Sequence, residues 1–190
     1  NALAAVGDAV TVTITASETG LSLDTGTING TSVTGFTEAG AGTYTATYTV
    51  QEGDTDRAAG EDIPVDFVLS DAAGNTSAAY TTAINQAGDA IDANSPTISN
   101  VSIPNSAAAI GDAVTVTITA GEAGLSLDTG TVNDATVTGF SDAGGGAYTA
   151  TYTVQEGDPD RAAGDDVPVS FVLADAAGNT SATYTTAIDQ

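Results

Sequence analysis

Apolar and polar residues alternate in short runs along most of the chain. In the run 11–15, Val12 and Ile14 lie on one side and three threonines lie on the other. The run 44–50 alternates in the same way, and the run 63–69 places four large apolar residues at every second position. A period of two is typical of β-strands with one buried face. Clusters of Gly, Asn and Asp separate the runs and no window has helical spacing, so the sequence predicts an all-β protein.

The chain consists of two copies of one unit. The stretches AVTVTITA, YTATYTVQEGD and DAAGNTSA each occur twice, with starting positions 104 residues apart (113 − 9, 148 − 44 and 175 − 71). When residues 1–86 are aligned with residues 105–190, 20 positions differ and 66 of 86 are identical. Two copies this similar share one fold and any site within it. A period of this length indicates a tandem array of whole domains.

The second copy predicts seven strands. They are A (97–103), B (113–119), C (125–132), C′ (136–140), E (148–154), F (167–173) and G (183–188). About seven short strands in roughly 100 residues is the pattern of an immunoglobulin-like β-sandwich. We therefore expect two such domains, residues 1–93 and 94–190, arranged end to end as a rod. The first copy begins at the counterpart of Asn105 without its strand A, so we expect the chain to be a segment of a longer protein.

The composition is strongly acidic. The formal net charge is −23, Arg57 and Arg161 are the only basic residues, and the sequence has no Cys or His. Binding to nucleic acid or to an anionic membrane needs clustered Lys and Arg, so neither is expected as a partner. No apolar run is long enough to span a bilayer, so we expect no membrane insertion. Such a charge opposes compaction unless cations neutralise it, although a solvated acidic surface is also typical of secreted or halophilic proteins.

The predicted topology places the acidic residues at the two ends of each sandwich. Strands A, C, E and G run away from the N-terminal end, so the E–F loop lies at the C-terminal end and the B–C and F–G loops lie at the N-terminal end. If the units stack in series, three acidic segments converge at the junction. The predicted metal ligands there are Glu52, Asp54, Asp56, Asp89, Asp92, Asn94, Glu122, Asp175 and Asn179. The outer ends supply half-sites with Glu18, Asp71 and Asn75 at one end and Glu156, Asp158 and Asp160 at the other.

Oxygen ligands at these spacings favour Ca²⁺, which takes roughly six to eight of them. Softer metals prefer His or Cys, and Mg²⁺ keeps more of its water. The motif DAAGN also has a purely structural interpretation as an Asx turn with Gly74 or Gly178 at positive φ. The E–F loop carries five acidic residues in twelve, which is more than a turn requires, so we favour a metal there. Arg57 is expected to form an ion pair within that loop.

Three motifs carry a resemblance to a known group of proteins. DAAGNTS, GDAVTVTIT and an Asp-rich linker ending in SPTI resemble the bacterial Ig-like repeats of giant surface adhesins, including the extender regions of calcium-dependent RTX adhesins used in biofilm attachment. The resemblance covers essentially the whole chain, and the linker is similar to those of cadherins, in which calcium stiffens domain junctions. It implies an extracellular position on the bacterial cell surface, neighbouring repeats of the same chain as partners, and a mechanical role in projecting a distal adhesive domain.

Two other classes of function have weaker support. An enzyme is not expected because the chain has no His, Cys or Lys, and no aromatic platform for a sugar accompanies its carboxylates. We therefore predict no catalytic residues and no small-molecule substrate. The alternative is a carbohydrate- or ice-binding module that uses the outward threonines of TVTIT and TYTATYT. Outward Thr is also what solvated strands prefer.

Overall fold

The chain folds into two compact units, Asn1–Asn94 and Ser95–Gln190. The computed structural model describes residues 3–85, 88 and 90–189. These residues form strands, turns and loops, and they include no helix long and apolar enough to cross a bilayer. The all-β class predicted from the alternating pattern is confirmed.

Unit 1 contains two three-stranded sheets, in the order β2-β6-β5 and β4-β3-β8, and two short pairs, β7-β9 and β1-β10. The strands are β1 (Leu3–Ala4), β2 (Ala9–Thr15), β3 (Ser22–Ile28), β4 (Thr31–Ser32), β5 (Thr34–Gly40), β6 (Thr43–Thr49), β7 (Asp62–Ile63), β8 (Val65–Ser70), β9 (Ile84–Asn85) and β10 (Ala90–Ile91).

Unit 2 contains a four-stranded sheet, β11-β12-β16-β15, and a three-stranded sheet, β14-β13-β17. The strands are β11 (Ile98–Ser102), β12 (Ala113–Ala120), β13 (Ser126–Val132), β14 (Ala135–Thr136), β15 (Thr138–Gly144), β16 (Ala147–Thr153) and β17 (Val169–Ala174). The segment after β17 takes the place of the predicted strand G. It pairs through single bridges, one of which joins Phe171 to Tyr184.

The core of unit 2 lies between its two sheets. Val116 and Ile118 of β12 and Tyr148 of β16 are fully buried in one cluster with Phe171 and Leu173 of β17. Because these side chains come from both sheets, the sheets pack face to face as a β-sandwich. The threonines between them on β12 are exposed, as a period of two requires.

The structure divides the predicted strand C′ into two strands that belong to different sheets. β14 pairs with β13, whereas β15 pairs with β16. Val137 lies between them and is buried in the core. The chain therefore changes sheets at Val137, and unit 1 repeats the change at Val33 between β4 and β5. Alternation reports which face of a strand is buried but not which neighbour it pairs with, so it could not show this change.

Strand F begins later than its apolar pattern suggests. The pattern starts at Val167, but β17 starts at Val169, immediately after Pro168. In unit 1, Pro64 separates β7 from β8 in the same way. Proline has no N–H to donate to a strand ladder, which accounts for the interruption.

Candidate functional site

The carboxylate of Asp54 fastens the beginning of the E–F loop of unit 1, which is the segment 50–61 between β6 and β7. Its Oδ2 accepts hydrogen bonds from the hydroxyl of Tyr48 (2.9 Å) and from the amide of Gln51 (3.0 Å). Its Oδ1 accepts a hydrogen bond from the hydroxyl of Thr31 (2.6 Å). Three donors from three segments therefore hold one half-buried carboxylate, and this predicted ligand has a structural role inside its own unit.

The protonation states of this group follow from its surroundings. Partial burial acts to raise the pKa of Asp54, but the hydrogen bonds from Thr31, Gln51 and Tyr48 outweigh it, so the pKa lies below its usual value. Burial, reinforced by the neighbouring carboxylate, raises the pKa of Tyr48 to about 12. At neutral pH, Asp54 is therefore ionised and the Tyr48 hydroxyl keeps the proton that it donates.

Unit 2 repeats the arrangement with one contact changed. Asp158 Oδ2 accepts hydrogen bonds from the hydroxyl of Tyr152 (2.8 Å) and from the amide of Gln155 (2.9 Å). Ala135 stands at the position that corresponds to Thr31. Burial, together with Asp158, raises the pKa of Tyr152.

A buried asparagine and an arginine form a second link to the E–F loop. Asn29 is buried at φ 53°, and its Nδ2 donates to the carbonyl of Thr55 at 2.7 Å. Its Oδ1 accepts a hydrogen bond from Nε of Arg57 at 2.9 Å. The expected role of Arg57 was an ion pair, and the structure shows this amide contact. Asn133 and Arg161 repeat the contact at 2.8 Å in unit 2.

Sequence reasoning did not identify this pair, although a signal existed. The only two basic residues of the chain occupy equivalent positions in the two copies (161 − 57 = 104), and an asparagine lies 28 residues before each. An isolated cation retained at one position in both acidic copies indicates a specific partner.

The segment 90–94, which leads toward unit 2, is hydrogen-bonded to the rest of unit 1. Ile91 exchanges two backbone hydrogen bonds with Arg57, at 2.8 and 2.9 Å, and the amide of Gly53 donates to the carbonyl of Ala93 at 2.8 Å. Ile91 and Ala93 are both buried. The amide of Asp92 donates to the carbonyl of Ala4 at 2.9 Å. This part of the predicted linker is therefore part of the folded domain.

Asp56 joins the E–F loop to the end of that segment through its side chain. Its Oδ1 accepts hydrogen bonds from the amide of Ala93 and from Nδ2 of Asn94, both at 2.8 Å. Two predicted metal ligands, Asp56 and Asn94, are thus brought together within unit 1. Asp89, a third, lies outside the described residues.

The F–G loops have the geometry of Asx turns. In unit 1, Oδ1 of Asp71 accepts from the amides of Ala73 and Asn75, and Oδ2 accepts from Nδ2 of Asn75 at 2.8 Å. The Asn75 hydrogen bonds lower the pKa of Asp71. Gly74 has φ 88°, so the positive φ predicted for this turn is confirmed.

The F–G loop of unit 2 closes in the same way. Oδ1 of Asp175 accepts from the amides of Ala177, Gly178 and Asn179, and Oδ2 accepts from Nδ2 of Asn179 at 2.9 Å. Gly178 has φ 98°. In each unit, the aspartate and the asparagine predicted as ligands in the F–G loop are therefore hydrogen-bonded to each other. Together they close the turn.

The remaining predicted ligands lie on the exposed end loops. The backbone carbonyls of Glu18 and Glu122 each accept a hydrogen bond from a tyrosine hydroxyl at 3.1 Å, Tyr44 and Tyr148 respectively. The side chains of Glu52, Glu156 and Asp160 are exposed. Within either unit, the described residues contain no group of three acidic side chains that could hold a metal. The predicted calcium set draws on both units and on amide oxygens, so it stays a prediction.

Comparison with known proteins decides the family. The sequence profile described as bacterial Ig-like domain matches residues 92–189, which is 98 of 190 residues (189 − 92 + 1). The chain belongs to the bacterial Ig-like domain family. Bacterial Ig-like domains are generally non-catalytic and are typically found in extracellular or surface proteins.

One solved structure and the curated proteins complete the comparison. The structure of the fibronectin(III)-like modules of Clostridium thermocellum CbhA aligns over 99% of this chain and 88% of that chain, at 16% identity and a TM-score of 0.37. No match was found among curated proteins. The Ig-like fold predicted from the strand pattern is confirmed by the family and by the sandwich itself.

Proposed function

We propose that this chain is a pair of extender repeats of a large bacterial surface adhesin, which Ca²⁺ stiffens at the interdomain junction so that the repeats hold a distal adhesive domain away from the cell. The observation that supports this most directly is the contact of Asp56 with Ala93 and Asn94. It fastens the acidic E–F loop to the segment that leads into the next repeat.

The charge of the chain gives calcium a physical reason to bind. With a net charge of −23, each acidic E–F loop contains a single basic residue, Arg57 or Arg161, against five acidic ones in its twelve-residue stretch. Two carboxylates about 4 Å apart repel by roughly 4 kcal/mol at an effective dielectric near 20. A divalent cation would replace that repulsion with attraction, and hard oxygen ligands are what Ca²⁺ prefers.

The connection between the units is short. Asn94 is hydrogen-bonded to unit 1, and β11 begins at Ile98, so Ser95, Pro96 and Thr97 are the residues between them. Proline fixes its own φ and restricts the residue before it. Because fixing one residue costs roughly 1–2 kcal/mol of conformational entropy, so short a connection needs less binding free energy to be held in one conformation than a long linker would.

Calcium binding to the intact chain, followed by calorimetry and thermal melting, tests the proposal. We expect Ca²⁺ to bind and to raise the melting temperature, EDTA to reverse the effect, and Mg²⁺ to be a poor substitute. Asp56→Asn keeps an oxygen that accepts from Ala93 and Asn94 but removes the charge, so it is expected to fold and to bind Ca²⁺ several-fold more weakly.

The matched control is Asp66→Ser. It also removes one negative charge, it lies on β8 outside the predicted ligand set, and Ser170 already occupies this position in unit 2. Equal loss of calcium affinity in both variants would mean that only the overall charge matters. Absence of binding at millimolar Ca²⁺ would refute the proposal.

A further inference from the structure

The turn between β3 and β4 contains the one Asn-Gly pair of the sequence. Asn29 and Gly30 are its two loop residues, at φ 53° and 86°. Asn-Gly is typical of a two-residue hairpin turn with positive φ at both positions. The equivalent turn of unit 2 is formed by Asn133 and Asp134, at φ 51° and 68°. The two copies therefore share the turn and its asparagine but differ in the residue that follows the asparagine.

This difference matters because an Asn-Gly pair is chemically labile. Asparagine is among the thermolabile residues of proteins. The backbone nitrogen of Gly30 can attack Cγ of Asn29, and glycine hinders this attack least because it has no Cβ. The N–Cγ bond forms, the Cγ–Nδ2 bond breaks, and Nδ2 leaves as ammonia with the proton of the Gly30 amide. Water then opens the succinimide ring and leaves either aspartate or isoaspartate, so the reaction needs no other reagent.

In folded unit 1 both ends of the Asn29 side-chain amide are held. Nδ2 donates to the carbonyl of Thr55 at 2.7 Å, and Oδ1 accepts from Nε of Arg57 at 2.9 Å. The backbone amide of Asn29 donates to the carbonyl of Pro64 at 2.8 Å, and the residue is 6% exposed. These hydrogen bonds oppose the movement that closes a five-membered ring with the nitrogen of Gly30.

We propose that Asn29 is a spontaneous modification site, which stays inactive while unit 1 is folded and deamidates when the E–F loop is released. Aspartate would place an oxygen where Nδ2 lies 2.7 Å from the carbonyl oxygen of Thr55, and so replace an attraction with a repulsion. Isoaspartate would add one carbon to the backbone of a two-residue turn. Either product weakens the link to the E–F loop, so release of unit 1 leaves a permanent change there.

Unit 2 supplies a matched control variant, Gly30→Asp. A Cβ on Gly30 would have no neighbouring atom within 4 Å, and Asp134 occupies the same position of unit 2 at positive φ. We therefore expect Gly30→Asp to fold. Its side chain hinders the attacking nitrogen, so we expect it to slow deamidation of Asn29 in the released chain.

Peptide mass spectrometry of the full chain, incubated at mildly alkaline pH with and without unfolding guanidinium chloride, tests the proposal. We expect Asn29 of the parent to deamidate several-fold faster in denaturant than in buffer. In denaturant it should also deamidate several-fold faster than Asn133 of the same molecule and than Asn29 of Gly30→Asp. Equal rates for Asn29 in buffer and in denaturant, or an unchanged rate in Gly30→Asp, would overturn the proposal.

A second variant tests the protection by Arg57. Arg57→Ala removes the donor to Oδ1 of Asn29, so in buffer we expect several-fold faster deamidation of Asn29 and an unchanged rate at Asn133. Circular dichroism establishes whether this variant is folded, and the comparison in denaturant stands in either case. A folded Arg57→Ala in which Asn29 reacts no faster than in the parent would refute the protective role of Arg57.

The effect of the modification is tested with Asn29→Asp, which has the sequence of one product. We expect it to lower the melting temperature more than Asn100→Asp, which adds the same charge at an exposed position of β11. Equal melting temperatures for the two variants would contradict the proposed weakening of unit 1. None of these measurements involves calcium, so their outcome is independent of the proposed extender function.

Discussion

Asp54 and Asp56 lie two residues apart in the same loop and have different surroundings. Asp54 is half-buried and accepts hydrogen bonds from Thr31, Tyr48 and Gln51, which all belong to the body of unit 1. Asp56 is exposed and accepts from the segment that leaves the unit. We infer that Asp54 mainly stabilises the loop, whereas Asp56 remains accessible to a cation.

Substitution of Asp54 should destabilise unit 1 in a pH-dependent way. We expect Asp54→Asn to lower the free energy of unfolding by roughly 1–2 kcal/mol at pH 7, because an amide cannot accept all three hydrogen bonds. The folded-state pKa is lowered, so the stabilisation is fully present above the unfolded pKa of about 3.9 and is lost as the pH falls through the folded pKa. Urea denaturation of the parent and of Asp54→Asn, at pH 7 and near pH 3, measures the free energy of unfolding at each pH.

A smaller change provides the control for this prediction. Thr31→Ala removes one of the three donors and reproduces the arrangement around Asp158 in unit 2. Thr31→Ala should lower the free energy of unfolding by less than Asp54→Asn does. A difference between parent and Asp54→Asn that stays constant from pH 7 to pH 3 would contradict the assigned role of the ionised carboxylate.

The sequence could not separate these two aspartates. Both are aspartates in the same acidic loop. The hydrogen-bond donors that distinguish them lie up to 38 positions away along the chain. What could be predicted at this scale was local: the Asx turn of DAAGN depends on five consecutive residues, and the structure shows it in both copies.

At the scale of elements, the hairpin between β5 and β6 depends on one glycine. Two residues, Ala41 and Gly42, form its loop, and both have positive φ, at 48° and 78°. Paired positive φ values match the right-handed twist of the flanking strands. A Cβ on Gly42 would lie 2.7 Å from the carbonyl oxygen of Ala16, so the B–C loop packs directly against this turn.

Gly42→Ala should therefore destabilise unit 1. The left-handed conformation alone costs a non-glycine residue about 1–2 kcal/mol, and the close contact with Ala16 adds to that cost. Ala41→Gly, which gives the sequence found at Gly145, should be neutral or stabilising because it relieves the same strain. Thermal melting of both variants is the measurement. Equal changes in melting temperature for Gly42→Ala and Ala41→Gly would contradict the described turn geometry.

Most strands could be predicted because alternation is strong where one face is buried. β12, β16 and β17 lie within two residues of their predicted bounds. The change of sheet at Val137 could not be predicted, because β15 is a mostly exposed strand with glycines at both ends of its run. The last strand was predicted as continuous but pairs only through single bridges among the described residues of unit 2. Period-two patterns report burial, and partner choice depends on contacts made across the whole unit.

At the scale of the whole molecule, the two nearly identical domains share their sheet topology. The sheets β2-β6-β5 and β4-β3-β8 of unit 1 correspond to β12-β16-β15 and β14-β13-β17 of unit 2. The repeat of 104 residues and the bacterial Ig-like family could be predicted from the sequence, since both are recognised by comparing residues position by position. Calcium at the junction depends on how oxygens from separate segments meet, and it requires a direct measurement.

Small-angle X-ray scattering of the intact chain, in saturating Ca²⁺ and in EDTA, is the most direct measurement of the central claim. If calcium stiffens the connection after Asn94, the maximum dimension and radius of gyration will be larger in Ca²⁺, and Asp56→Asn will reduce the difference. Superimposable scattering profiles in Ca²⁺ and EDTA would contradict the account, whatever calcium does to the melting temperature.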